Sequence, residues 1–202
     1  MMKITNVKAK DNRMSFTIGG INSQYANAIR RSIISAVPII AIEKVDIYNN
    51  SSIMNDETLA HRLGLVPLTT DLKTYNLPAE CTCEGKGCGK CTVILTLDVK
   101  GPKTVYSADL KSEDPKVKPV YDEMQLVKLA PSQEIKLEAH ARLGKGFEHI
   151  KWQGGLAAYD ETAKGTYDFI VESYGQLSLK ELVRAAFESF EKNLEELEKA
   201  IK

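Results

Sequence analysis

The first part of the chain changes from a strand pattern to a helix pattern and back. Residues 13–18 alternate polar and apolar side chains, which is typical of a strand with one buried face. After a glycine pair, Asn22 or Ser23 can cap a helix that extends to about Ala36. Residues 39–48 then have the pattern of a second strand. The pattern therefore predicts strand, helix and strand in that order.

The middle of the chain predicts mostly strands joined by polar loops. A short helix is capped near Asp56 and stops at Gly64, and the mostly apolar residues 93–99 are typical of a strand. Residues 135–143 place apolar side chains at every second position with polar ones between, which predicts a strand with one solvent-facing side. The stretch 152–165 contains several glycines and is predicted to be irregular.

A long amphipathic helix is predicted at the end of the chain. Ser178 and Glu181 have the spacing of a capping box. Apolar residues then recur in steps of four and three, as in the seam of a coiled coil: Val183, Phe187, Phe190, Leu194, Leu197 and Ile201. The first half of this seam can pack on the chain's own sheet, whereas residues 194–201 favour a partner protein.

Composition and charge exclude some classes of protein. Of 202 residues, 43% are hydrophobic and 27% charged, which is typical of a soluble chain with one large domain or two small ones. Lys+Arg and Asp+Glu are balanced at 27 each, so any contact with DNA is expected to be indirect. No apolar run approaches the roughly 20 residues of a membrane span. We therefore expect a cytoplasmic protein that does not contact a membrane.

All four cysteines lie in one short, glycine-rich loop with the spacing C-x-C-x4-C-x2-C: Cys81, Cys83, Cys88 and Cys91. Four thiolates this close together can bind one tetrahedral Zn²⁺, and they leave no open position for a substrate, so such a site would be structural. Three alternatives stay open. The loop could form two disulfides, which a cytosol disfavours. It could hold a [2Fe–2S] cluster, which needs a further cysteine downstream, or it could carry no metal.

The sequence contains no pattern that indicates catalysis. Its three histidines, His61, His140 and His149, do not stand at a catalytic or metal-binding spacing from a Ser, Cys or carboxylate. Motifs for phosphate loops, dinucleotide binding, zinc proteases and serine hydrolases are also missing from the sequence. We therefore expect this chain to have no active site of its own.

Several segments, taken in order, resemble the alpha-like subunits of cellular RNA polymerases. Residues 22–45 resemble the first dimerisation helix and following strand of that family. Residues 56–68 resemble the next signature of the branch that contains the archaeal D-type subunit and the eukaryotic third subunit. The loop 81–91 is similar to the zinc loop of this branch. Residues 148–152 and 171–178 resemble its segments before the last helix.

The resemblance implies an α+β fold with two domains. A discontinuous dimerisation domain would comprise residues 1–45 and 166–202, and an inserted, mostly β domain with the zinc loop would comprise residues 46–165. The implied function is a non-catalytic assembly subunit of DNA-directed RNA polymerase. It would pair with an L-type subunit, then recruit the small subunits N and P and the second-largest subunit. Many archaeal members carry a ferredoxin-like insert, but residues 152–167 contain no cysteine, so we expect no iron–sulfur cluster.

The resemblance also implies which residues meet the partner subunits. The implied interface residues are Tyr25, Ile29, Arg30, Arg31, Ile33, Val183, Phe187, Phe190, Leu194 and Leu197. Within this set, Arg30 and Arg31 are candidates for contact with the second-largest subunit. An alternative from another class is a free-standing zinc-containing module that binds protein or RNA, which the neutral charge and the uncovered seam disfavour.

Overall fold

A computed structural model describes residues 2–201. In this range the strands are β1 (Lys3–Lys10), β2 (Arg13–Gly19), β3 (Pro38–Asn50), β4 (Thr92–Lys100), β5 (Lys103–Tyr106), β6 (Lys111–Ser112), β7 (Gln125–Leu129), β8 (Glu134–Lys145), β9 (Gly155–Ala163) and β10 (Thr166–Ser173). The α-helices in the same range are α1 (Ser23–Ser35), α2 (Asp56–Gly64) and α3 (Leu179–Ile201). The chain divides into one unit of Met1–Pro38 with Lys145–Lys202 and a second unit of Ile39–Gly144. The mixed α+β class is as the sequence predicts.

The first unit is built on a four-stranded antiparallel sheet in the order β1-β2-β10-β9. On its covered face, Phe169 of β10 stacks on Phe16 of β2 with ring centroids 5.2 Å apart. The ring of Tyr159 in β9 lies 5.4 Å from that of Phe169. Helices α1 and α3 pack on each other, with α1 also against β9 and α3 against β10. These aromatic rings therefore join three strands beneath the helix pair.

The helix starts follow the capping signals in the sequence. The side chain of Asn22 accepts a hydrogen bond of 2.8 Å from the Tyr25 backbone N–H at the start of α1. At α3, the Glu181 N–H donates to the Ser178 hydroxyl at 3.3 Å, while the Ser178 N–H donates to the Glu181 carboxylate at 3.3 Å. This reciprocal pair confirms the predicted capping box. Over residues 2–201, no helix has the length and apolar content needed to cross a membrane.

Strand β9 was not expected from the sequence, and the irregular structure predicted for residues 152–165 is wrong over Gly155–Ala163. Gly155 begins this strand, and its backbone closely approaches β10 and α3. A Cβ atom at this position would overlap the carbonyl oxygen of Glu172 and would lie 2.9 Å from the Leu182 side chain. The glycine therefore marks a tight contact inside a sheet rather than an irregular loop.

The second unit contains a sheet in the order β3-β8-β4-β6 and a separate antiparallel pair, β5 and β7. Strand β8 buries the alternate apolar residues predicted for it, from Ile135 to Leu143. Helix α2 packs its buried Leu59 and Leu63 into the same core. Its Arg62 donates a hydrogen bond of 2.7 Å to the Leu126 carbonyl oxygen, which ties α2 to β7.

The boundaries between these units differ from those of the two domains predicted above. They fall at 38/39 and 144/145, rather than at 45/46 and 165/166. At the second boundary, the difference arises because β9 pairs with β10 along its length, so residues 145–165 belong with the first unit. The role of this first unit as a dimerisation domain stays a prediction.

The stacked rings give the first test of the fold. Phe169→Ala should lower the free energy of unfolding of the first unit by about 3–5 kcal/mol, because it leaves a cavity in the fully buried core. Urea unfolding can be followed through Trp152, the only tryptophan of the chain and a buried residue of this unit. The control Ile170→Ala, at the neighbouring position but 40% exposed, should cost less than about 1 kcal/mol. Equal losses would contradict this account.

Candidate metal centre and partner surface

The cysteine loop folds back on itself between a short 3-10 turn, Pro78–Glu80, and β4. Two backbone hydrogen bonds close its ends, from Glu84 N–H to the Cys81 carbonyl oxygen at 2.9 Å and from Cys91 N–H to the Cys88 carbonyl oxygen at 2.9 Å. Gly85 and Gly87 both have a positive φ, at 76° and 86°, which glycine adopts without strain. These two turns bring the four cysteines of the loop together.

The four sulfur atoms have the spacing of a tetrahedral metal site. All lie within 4.8 Å of one another. The Sγ–Sγ distances include 3.6 Å for Cys81–Cys88, 3.4 Å for Cys83–Cys91 and 3.8 Å for Cys88–Cys91. A tetrahedron with Zn–S bonds of about 2.3 Å has S–S edges of about 3.8 Å. All four cysteines are free thiols, so the loop contains no disulfide, and their arrangement fits one Zn²⁺ ion.

The thiols of this cluster differ in how readily they ionise. Sulfur–sulfur hydrogen bonding with Cys91 lowers the pKa of the Cys83 thiol to about 6. The pKa of Cys81 is raised to about 11. The Cys83 backbone N–H favours the Cys81 thiolate, but hydrogen bonding among the sulfurs and desolvation outweigh it. A metal ion binds thiolates, so it must displace the remaining protons.

Further groups around the sulfurs were not identified from the sequence. The Cys88 backbone N–H donates a hydrogen bond of 3.3 Å to Cys91 Sγ. The hydroxyl of Thr92 lies 3.7 Å from the same sulfur. Such contacts orient a metal-bound thiolate and tune its charge. The position of Thr92 directly after the last cysteine was the only available signal, and spacing alone does not distinguish it from any other loop residue.

The three histidines either make local polar contacts or lie exposed on a helix. His140 Nε2 lies 2.9 Å from Asp46 Oδ2 on the solvent-facing side of the second unit's sheet. His149 accepts a hydrogen bond of 3.1 Å from the Lys151 backbone N–H. His61 is exposed on α2. Each histidine therefore has surroundings that a structural or surface role explains.

The implied interface residues separate into a buried group and an exposed group. Ile29 and Ile33 of α1 are buried inside the first unit, where Ile29 packs near Phe187 and Phe190. Val183, Phe187 and Phe190 are half-buried. These five residues therefore belong mainly to the packing between α1 and α3 and contribute little exposed area.

The exposed group lies mainly on α3. Leu194 is 47% exposed, Leu197 57% and Ile201 76%, and we call these three residues the distal seam. On α1, the Tyr25 ring is also partly exposed and meets Phe190 edge-to-face, with centroids 5.4 Å apart. Helices α1 and α3 thus form one apolar surface, and its most exposed part is the distal seam.

The two arginines of α1 have different surroundings. Arg30 is half-buried and donates hydrogen bonds of 3.2 and 3.0 Å from Nε and Nη2 to the Asn27 side-chain oxygen. Arg31 is exposed. Of the two, Arg31 offers the more accessible guanidinium.

Comparison with known proteins identifies the family. Residues 45–159 match the RNA polymerase Rpb3/RpoA insert domain. This match contains the whole cysteine loop and covers more than half of the chain. The chain therefore belongs to the RNA polymerase Rpb3/RpoA insert domain family.

Curated relatives are archaeal proteins named DNA-directed RNA polymerase subunit Rpo3. The chain is 44% identical over 157 residues to the Methanosarcina acetivorans protein, which covers 77% of this chain and 59% of that relative. It is 49% identical over 155 residues to the Methanothermobacter thermautotrophicus protein, and this match covers 75% of this chain and 58% of that relative. For Pyrococcus furiosus the figures are 40% over 158 residues, covering 78% and 58%. The matched region thus spans less than three-fifths of these relatives.

The cysteine cluster gives the second test. The chain purified with zinc should hold one Zn²⁺, and Cys88→Ser should lose it on dialysis against a chelator because one of four thiolates is gone. Metal content is measured by elemental analysis. Wild-type zinc retention should also fall as pH is lowered, because protons compete for the sulfurs.

Thr82→Ser, within the same loop, is the matched control and should keep its zinc. Bound iron in place of zinc, or retention of zinc by Cys88→Ser equal to that of wild type, would contradict a four-thiolate zinc site.

Proposed function

We propose that this chain is the alpha-like assembly subunit of an archaeal DNA-directed RNA polymerase, of the D-type or Rpo3 class. Its family and its archaeal relatives support this assignment. The protein would act in the cytoplasm within a nucleotidyltransferase complex and would have no active site of its own. Catalysis of nucleotidyl transfer would belong to the largest subunits.

The observation that carries the proposal is the exposed distal seam of α3. Every residue from 191 to 201 is exposed, so the distal half of this helix extends beyond the core of its own unit. Isolated apolar residues on a surface are ordinary, but a contiguous apolar seam indicates an interaction site. Heptad spacing of the seam favours another helix as the group that covers it.

The partner proposed for this surface is an L-type polymerase subunit, forming a heterodimer. Burying a large apolar side chain contributes roughly 1.5–3 kcal/mol. The three residues of the distal seam, with Tyr25 and Phe190 beside them, can therefore offset an association cost of at least about 4 kcal/mol. The residues buried below this surface would keep its shape in both the free and the bound chain.

The heterodimer would then serve as a platform for the small subunits N and P and for the second-largest subunit. Arg31, with its exposed guanidinium, is the better candidate of the α1 pair for a contact with the large subunit. The balanced charge of the chain supports only indirect contact with DNA. The zinc ion would act structurally, holding a loop that has few apolar side chains to bury.

The proposal is tested by co-expression with an L-type subunit and measurement of molar mass by size-exclusion chromatography with light scattering. We expect a 1:1 complex. The double variant Leu194→Asp/Leu197→Asp should weaken it roughly 100-fold, because about 3 kcal/mol of apolar contact is lost.

The control Lys199→Asp places a new acidic charge on an exposed position of the same helix outside the seam and should leave the complex intact. A chain that stays monomeric with the L-type subunit present would contradict the assembly function. In that case the free-standing zinc module would be the better explanation.

A further inference from the structure

The distal seam has two unequal sides. Helical spacing places Glu191 and Glu198 along one side of it and Asn193 and Ala200 along the other. The lysines of the same half, Lys192 and Lys199, lie on the opposite face of the helix by the same spacing. All of these positions are exposed. The rim of the seam is therefore acidic on one side and uncharged on the other.

A second copy of this chain fits this surface poorly. If two distal seams packed antiparallel, the rims on the same side would face each other, so Glu191 and Glu198 would meet carboxylates. Like charges that are brought together across an interface suppress the pairing. In a parallel pair the acidic rim would face Asn193 and Ala200, which carry no positive charge to pair with it. Neither arrangement gives a second copy a favourable charge pairing along the rim.

We propose that the distal seam accepts a partner helix whose matching rim carries lysine or arginine, and that Glu191 and Glu198 select this partner over a second copy. The inference rests on the proposed function, since it gives the chemistry of the partner at the same surface. Opposite charges across the rim speed encounter and fix the choice of partner, while the apolar seam supplies contact area. Added salt should weaken the charge contribution and leave the apolar contact.

The chain itself supplies the probe for this inference. Glu191→Lys/Glu198→Lys creates a copy with a basic rim. When it is mixed with the wild-type chain, both zinc-loaded, we expect a dimer with one copy of each, detected by light scattering and native mass spectrometry. Each copy alone should stay monomeric. The mixed dimer should weaken about tenfold or more when NaCl is raised from about 0.05 M to about 0.5 M.

The matched control is Glu188→Lys/Glu196→Lys, which makes the same change in net charge on the same helix but away from the seam. Mixed with wild type, it should remain monomeric. The inference is overturned if the rim variant and wild type do not associate, if the control associates equally well, or if wild type alone forms a dimer at low salt. The last result would make a second copy the occupant.

Binding of an L-type subunit is read separately, so the two ideas can fail independently. If an L-type subunit binds the wild-type chain and the mixed dimer does not form, the rim selection is wrong and the proposed function stands. If the mixed dimer forms and no L-type subunit binds, the proposed function is wrong and the rim selection stands.

Discussion

The pairing of β2 with β10 is the contact on which the rest of the first unit depends. It joins two segments from opposite ends of the chain, and the hydrogen bond of 2.6 Å from Thr17 to Asp168 crosses a separation of 151 positions. Closing so long a loop costs chain entropy, although this cost grows only slowly with loop length. The stacked rings of Phe16 and Phe169 on the covered face supply buried apolar contact that offsets it. The middle of the chain can therefore fold as an inserted unit.

The same pairing also explains why one surface is built from both ends of the chain. Helix α1 follows β2 and α3 follows β10 after short connections, so the two helices meet once the strands are paired. The edge-to-face contact of Tyr25 with Phe190 is a direct result. Neither helix alone presents this surface. A substitution that weakens the strand pair would therefore also disturb this surface.

The sequence was sufficient wherever a local rule decides the structure. The caps at Asn22 and Ser178, the alternation along β8 and the convergence of the cysteines all follow from interactions within a few residues or from one strong period. Strand β1 was hidden because a register shift between Thr5 and Lys8 breaks its alternation, and Asn6 in that shift has a φ of 54°.

Other features depend on contacts between distant segments. Strand β9 pairs with the edge of β10, and its first glycine is explained by the nearby Glu172 carbonyl oxygen of β10 and the Leu182 side chain of α3. The family resemblance named Ile29 as an interface residue, whereas the structure buries it inside the first unit, near Phe187 and Phe190 of α3. For the same reason, spacing predicted four metal-binding sulfurs but not the Thr92 hydroxyl beside them. The heptad pattern of α3 did indicate a seam, yet only the packed unit shows where its burial ends.

The buried first half of α3 also determines the conformation of the exposed distal seam. As an isolated peptide, the distal half of α3 (residues 191–201) would be only marginally helical in water, because nucleating the first turn is unfavourable. The distal half of α3 does not need to nucleate, since it continues a helix whose first half is fixed by the buried Leu182 and Ala186 and by the capping box at Ser178. Propagation adds one hydrogen bond for each residue fixed, and Lys199 in the last turn favours the helix dipole. The seam is thus already helical in the free chain, so the binding that we propose for it would carry little ordering cost at this surface. The residues that complete the core of the first unit therefore also preorganise a surface that extends beyond that core.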